Sequence, residues 1–448
     1  MHTHGRLLRT HSLSPGSTLA RVPTILCARE GTMSFRRRIA LMMPTCLVLA
    51  CGPTKDPIPG RVGSTQVPDK TVFDPALMEA KIRELYEGNV VGFSYAINHS
   101  GQLAAAGGWG DAQRSSTGGP GAVPMTEHTR IHLASVSKTV NAIFFLTFLH
   151  KWNALEPLEP IGLDDAISRW LPAEWVKGKG FAGEDGVTFR QLLKHESGLK
   201  QLFDAMSEED RKAWGNDWDG LEFVVVNGAM PGSPRAYKNA NAALFRILIP
   251  KIYEPLLLLK EVTKDNVGQL YVGLLNGWVM DDIGIDTRVD CHFDRAGDYA
   301  MYYDFDGPST QGFIFDRGDE DCGGHAGLQM SAFEVARLLA YARHTDVLLG
   351  DAEREALHQD ALGFYDRETT GDASVARLRK AGDWYDYYEG KEENPQASAE
   401  IHTCVIAFPY QVEAVLLINS SLAPGTPRPC TGLTEAYEAA LVPATPGG

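Results

Sequence analysis

Positive charge is in short supply in this chain, with 42 lysines and arginines against 57 acids. Beyond the first forty residues there is no run of lysine or arginine, and the 448 residues carry a formal net charge of −15. A phosphate backbone needs a basic face, so the composition argues against nucleic acid as a partner. Cysteine is scarce, at seven residues. There is no internal repeat, and no Gly-x-Ser-x-Gly elbow of the kind that presents a serine to a Ser-His-Asp relay. What remains is ordinary globular material, 44% hydrophobic and 22% charged, enough for two or three domains.

The basic residues gather where a fold is not expected. Arg36-Arg37-Arg38 precede an apolar run from Ile39 to Ala50 that is too short to span a membrane stably. Basic residues followed by such a run read as an export signal. Its end, Leu47-Val48-Leu49-Ala50-Cys51-Gly52, resembles a bacterial lipobox, with Cys51 as the residue that takes lipid and holds the protein on the cell envelope. An ordinary secretory signal or a short membrane anchor is the alternative. Met33 is placed to start the signal, which makes residues 1–32 an upstream extension. Residues 1–50 hold seven arginines and one glutamate, a net +6, so their removal takes the charge from −15 to −21. Residues 51–70, rich in Pro, Gly, Ser and Thr, read as a tether. Four cysteines then remain. In an exported chain they suggest two disulfides, with free thiols as the alternative. Cys291–Cys322 and Cys404–Cys430 are the expected pairs, because each joins neighbours in sequence.

The residues with chemistry centre on Ser135. From Val140 to Leu149 apolar side chains fall on nearly every face, which marks a buried helix. Ser135 and Lys138 open it, three positions apart and so neighbours on one face. The hydroxyl sits at the positive end of the helix dipole beside an amine that can take its proton. A second Ser-x-x-Lys, Ser197 to Lys200, has Gly198 directly after the serine; it reads as a structural helix end. His128 and His132 lie four apart, but Thr129 replaces the glutamate of a metalloprotease helix and no third ligand is near, so they read as solvated histidines and no metal is expected.

The pattern of elements is mixed. Pro75–Tyr86 reads as an amphipathic helix, Val90–Ile97 and Gln102–Trp109 as a hairpin, and Asp111–Pro124 as a surface loop. Val187–Leu199 reads as one capped helix ending at glycine and Ala332–Ala342 as another, capped by Ser331. Glu400–Ala407 and Val412–Asn419 read as adjacent strands, and Thr431–Leu441 as a closing helix.

Five pieces, in order, resemble the serine β-lactamase and penicillin-binding-protein family, above all class C β-lactamases and their esterase and D-aminopeptidase relatives. They are Ala134 to Lys138; Leu163-Asp164-Asp165 with Trp170-Leu171-Pro172; Thr188 to Leu199; Pro231-Gly232-Ser233 with Tyr237 to Asn241; and Ala326-Gly327-Leu328 with Ser331-Ala332 and Ala336-Arg337. The resemblance implies an α+β fold, an antiparallel sheet flanked by helices with a mostly helical second lobe. The hydrolase domain would occupy 71–445, with the sheet lobe drawn from 71–130 and 375–445 and the helical lobe from 131–374. It implies that Ser135 is the acylated nucleophile, Lys138 its proton partner, Tyr237 the general base and Asn239 a receiver of the substrate amide. It calls for no cofactor. A free lysine or tyrosine has a pKa near ~10, so the base has to be tuned: crowded cations depress each other, and neighbouring ammonium groups stabilise a tyrosinate. For the family's strand motif facing the nucleophile, Lys380-Ala381-Gly382 is favoured over His325-Ala326-Gly327, with the N–H of Asp383 joining that of Ser135 as oxyanion donors.

The expected activity is therefore that of an exported, envelope-anchored serine hydrolase cutting an ester, amide or peptide. The rival reading is an inactive relative that binds cell-wall peptide or serves as an envelope scaffold. Ala381 lacks the family's hydroxyl, and Asp383, Asp386, Glu389, Glu392 and Glu393 place acids along the same edge, Asp383 within reach of Lys380. A substrate carboxylate is disfavoured there, so a neutral or amino-bearing substrate is expected rather than a β-lactam or a D-Ala-D-Ala peptide.

Overall fold

The computed structural model describes residues 71–443 apart from 116–120, 158, 177–179, 182–185, 258–260, 295–297, 307–311, 317, 319–321, 370–375 and 388–397. The expected signal, Cys51 and the tether lie outside the described residues, as do Glu389, Glu392 and Glu393.

Among the described residues seven strands form one antiparallel sheet in the order β4-β3-β2-β10-β9-β8-β7. They are β2 (Gly92–His99), β3 (Gln102–Gln113), β4 (Val123–Pro124), β7 (Asp366–Thr369), β8 (Ala376–Tyr387), β9 (Ser398–Phe408) and β10 (Val412–Ile418). β1 (Thr71–Phe73) pairs with β11 (Leu441–Pro443), and β5 (Ile131–His132) with β6 (Gln329–Met330). Both ends of the chain thus build the sheet. Side chains on a strand alternate between faces, and β9 is apolar on both. Ala399, Ile401, Val405 and Ala407 join the main core. Cys404, Ile406 and Phe408 pack instead with Met78, Ile82 and Tyr86 of the Pro75–Tyr86 helix and with Leu433, Ala436 and Tyr437 of the Pro429–Ala439 helix.

On the main-core side lies the central helix, Ser137–Ala154, buried without a break from Ser137 to Leu149. Such burial on all sides is what its unbroken apolar composition dictates. The Ala332–His344 helix, held by a Ser331–Glu334 capping box, rests on β2 and β10, and Asn98 donates 2.7 Å to its Ala336 carbonyl. The sheet lobe therefore reaches further into the chain than expected. It takes β7 from before residue 375, and a helix of the second lobe packs on it.

Other boundaries move for local reasons. β3 runs on to Gln113 and pairs with β4, so the stretch from 111 to 124 is not wholly loop. The helix expected over 187–199 covers only Phe189–Leu193, because His195 at φ 57° and Gly198 at φ 81° turn the chain. Gly198 then precedes a new helix, Leu199–Ala205, rather than ending one. Ser197 is structural, its hydroxyl donating to Asn241 and accepting from the Leu199 N–H. His132 is not solvated. It is buried, stacked on Phe315 at 3.5 Å, and its Nε2 accepts from the Gly327 N–H at 3.1 Å. His128 is the exposed one of the two. Cys291–Cys322 and Cys404–Cys430 are both bonded.

Candidate active site

Ser135 lies in a single tight turn, Ala134–Val136, that runs straight into the central helix. Ala134 just before it sits in the left-handed region at φ 46°, which costs a residue with a Cβ roughly 1–2 kcal/mol. Strain of this kind gathers at functional sites.

One turn along, the Lys138 amine lies 3.1 Å from Ser135 Oγ and donates to the His325 carbonyl oxygen at 2.7 Å. Tyr237 brings its hydroxyl to 2.7 Å from the same Oγ. Its ring is clamped, with His195 tilted against it at 4.7 Å and Tyr365 edge-on at 5.2 Å. The nitrogens of Lys138 and Lys380 lie 5.0 and 4.4 Å from the ring centroid. Behind it, His195 Nδ1 accepts from the Lys238 N–H and faces the Asn241 amide. Lys238 itself turns away, onto Phe203.

Lys380 and Gly382 come from β8 and fall on one face by alternation. A Cβ on Gly382 would stand 2.5 Å from Thr403 Oγ1, 2.7 Å from the Ser135 nitrogen and 2.9 Å from the Leu133 carbonyl oxygen. Only glycine lets the strand come this close to the nucleophile. Thr403, from β9, secures the approach by donating to the Leu133 carbonyl at 2.8 Å. Of the two candidates for the strand motif, Lys380-Ala381-Gly382 is the one on a strand. His325 belongs to a loop bent by Gly323, Gly324 and Gly327, all at positive φ, and supplies its carbonyl to Lys138.

These residues open on a cleft of about 440 Å³ lined by Ser135, Asn239, Asn216, Asp383, the His325–Gly327 loop and an aromatic wall of Phe315, Trp384 and Tyr385. Asn239 Oδ1 is buried with no protein partner among the described residues. Among the described residues no group of three or more His, Cys, Asp or Glu is placed to hold a metal ion, and no helix is long and apolar enough to cross a membrane.

Burial governs protonation here. It pushes the Lys138 amine well below its usual value, and Lys380 adds to the effect. Burial brings Lys380 to about 7, with Asp366 opposing and Arg235 assisting. Burial also lifts the Tyr237 hydroxyl to about 12 against the hydrogen bond from Ser135. Burial thus shifts the phenol toward its protonated form and both amines toward their neutral ones.

At the rim the pairings differ from expectation. Asp383 does not pair with Lys380, since residues three apart on a strand face opposite ways. Its Oδ1 lies 2.6 Å from His402 Nδ1 and 2.7 Å from Arg428. His402 Nε2 is 2.7 Å from Glu400. Asp386 accepts from Tyr302 and, at 2.9 Å, from the Trp384 indole. Asp383 and Asp386, the described acids of this edge, are therefore both hydrogen-bonded rather than bare. Sequence reasoning missed Thr403, His195, His402, Arg428, Asn216 and the His325 carbonyl. Only the glycine cluster around His325 and the histidine following Ser-x-Glu at 398–400 offered a signal.

The β-lactamase family model matches residues 78–387. The fold is similar to FmtA from Staphylococcus aureus, at 15% identity and TM-score 0.53 over 83% of this chain and 91% of that one. It is similar to a class C β-lactamase from Rhodobacter sphaeroides, at 16% and 0.52 over 81% and 98%. A third likeness is to EstCE1, a hydrolase with promiscuous acyltransferase activity, at 18% and 0.54 over 82% and 98%. No curated protein matches by sequence. Such identities carry the fold alone, but the family match takes in Ser135, Lys138, Tyr237, Asn239 and the Lys380–Asp383 strand, and the chain belongs to the β-lactamase family.

Proposed function

We infer that the chain is an exported serine hydrolase that forms an acyl-enzyme on Ser135 with an ester, amide or peptide substrate. One observation carries the reading: Ser135 Oγ lies within hydrogen-bond reach of both the buried Lys138 amine and the Tyr237 hydroxyl. In its neutral form Lys138 takes the serine proton as Oγ attacks the carbonyl carbon. The oxyanion is received by the N–H groups of Ser135 and Asp383, and Asn239 receives the substrate amide. The leaving group departs with a proton delivered through Lys138 and Tyr237. Water then repeats the sequence on the acyl-serine, releasing the acid and restoring the free hydroxyl.

The lipobox-like Cys51 supports attachment to the cell envelope by a lipid, with residues 52–70 as spacer. Cys51→Ala is expected to leave the membrane fraction; tight retention of that variant would point to an uncleaved anchor instead. For the chemistry, a fluorophosphonate and a penicillin probe are applied to wild type and Ser135→Ala and the adduct is mapped by mass spectrometry. Labelling confined to Ser135 is expected. Equal labelling of both proteins removes the mechanism, and no labelling of either favours a non-catalytic, peptide-binding relative.

A further inference from the structure

At the cleft rim three residues of the sheet and one from outside it form a single line of charge. Glu400 and His402 come from β9, Asp383 from β8, and Arg428 immediately precedes the Pro429–Ala439 helix. Asp383 and His402 are directly cross-strand. The imidazole is buried, with Nδ1 2.6 Å from Asp383 Oδ1 and Nε2 2.7 Å from Glu400 Oε2. A neutral imidazole has one N–H, so its second nitrogen would aim a lone pair at a carboxylate oxygen. With both carboxylates ionised, the doubly protonated ring is the form that donates to each of them, and Arg428 Nη1, 3.5 Å from Nδ1, is a further cation beside it.

We propose that His402 is a positioning residue held as an imidazolium between Asp383 and Glu400, and that its proton sets the charge of the rim and hence the choice between substrates with cationic and anionic ends. With the proton on, Asp383 and Glu400 are balanced by His402 and Arg428. With it off, the rim carries one net negative charge. The frame survives that change, because Asp383 keeps Arg428 at 2.7 Å and Glu400 keeps the Ser398 hydroxyl at 2.7 Å. The remaining cross-strand neighbour, Ile418 of β10, is apolar, so no further charge from that strand compensates the loss. Burial disfavours the charged ring, but the bonds from Asp383 and Glu400 outweigh it and hold His402 above its ordinary value. The change reaches the chemistry. Asp383 lines the cleft, and its carboxylate raises both Tyr237 and Lys380.

The proposal rests on reading the cleft as an acyl-transfer site, and its test separates the two. Three esters with the same acyl and leaving groups, ending in trimethylammonium, tert-butyl or carboxylate, are followed from pH 5.5 to 9.5. In wild type the cationic-to-anionic ratio of kcat/KM is expected to rise at least tenfold across the His402 titration, the effect of one unit charge about 6 Å away through water acting with opposite sign on the two ends. In His402→Gln only the part of the rise that comes from the cleft lysines is expected to remain, and a rise as large as that of wild type overturns the proposal. A constant ratio in a wild-type enzyme that turns over the tert-butyl ester overturns the proposal and leaves the hydrolase reading standing. If no ester is cleaved, that reading fails instead. The proton on His402 is then read directly, by NMR of ¹⁵N-imidazole-labelled Ser135→Ala. A midpoint above the free value of about 6.5 supports the proposal, and one at or below it overturns the proposal whatever the turnover.

Discussion

Lys380 and Asp383 stand three positions apart on β8, yet the protein treats their charges in opposite ways. Inside the cleft, burial is the largest influence on Lys138 and Lys380 and strips them toward the neutral amine. At the rim, Asp383 is only half-buried and paired: burial pushes its carboxyl up, but the hydrogen bonds and charges of His402 and Arg428 together hold it below the usual range. Alternation along one strand thus delivers a base-making and a charge-keeping environment within a few ångströms. The difference lies in partners: the lysines face each other and an aromatic ring, whereas the acids face a histidine and an arginine.

That contrast can be broken most severely at Lys138. Lys138→Arg keeps a cation in place, but a guanidinium does not surrender its proton. Activity on a neutral ester should fall up to about 10⁴-fold, the upper range for general-base catalysis; near-wild-type turnover would mean that the charge rather than its loss matters. Gly382→Ala comes next. Its methyl would displace Thr403, the Ser135 nitrogen or the Leu133 carbonyl, so kcat should drop by about 10²–10³, the cost of an oxyanion donor, with the circular dichroism spectrum unchanged.

Tyr237→Phe should cost less, roughly ten- to a hundredfold, and should sharpen the assignment of the base. The rise of activity with pH as the coupled lysines lose protons should persist in this variant, its midpoint belonging to the cluster. Disappearance of that limb would return the role to tyrosine. The smallest effect is on stability. The folded-state pKa of His402 is raised, so its contribution is complete below the unfolded value of about 6.5 and fades as pH climbs through the folded one. Urea unfolding between pH 6 and 9 should therefore show wild type losing stability that His402→Gln never had. Parallel curves would break the comparison.

Much of the interior was legible in the sequence, and little of the rim. Ser135 and Lys138 sit one helical turn apart, which periodicity places, whereas Lys380 and Gly382 come from the resemblance, and alternation then puts them on one face of a strand. The His325 carbonyl is invisible to such reasoning because a backbone oxygen has no residue type to mark it. His132 misled because its spacing from His128 suggested a surface pair, while Ile131 and Leu133 on either side already signalled burial. The pairing of Asp383 was misjudged by weighing nearness in sequence over alternation. His402 and Arg428 reach it only once β9 lies beside β8 and the C-terminal helix is docked, a matter of tertiary register rather than pattern.

The two disulfides stand behind the two walls of this cleft. Cys322 is followed by the glycine loop whose His325 carbonyl holds Lys138, and Gly327 packs against the Cys291 sulfur. Cys404 lies two residues from His402 and Cys430 two residues from Arg428. Each bond closes a loop, of 31 and 26 residues in sequence separation, and such closures are worth about 3–4 kcal/mol apiece. A chain synthesised under reducing conditions would carry its serine and lysines but lack these two clasps. On the function proposed above, oxidation rather than proteolysis would then be the event that completes the cleft.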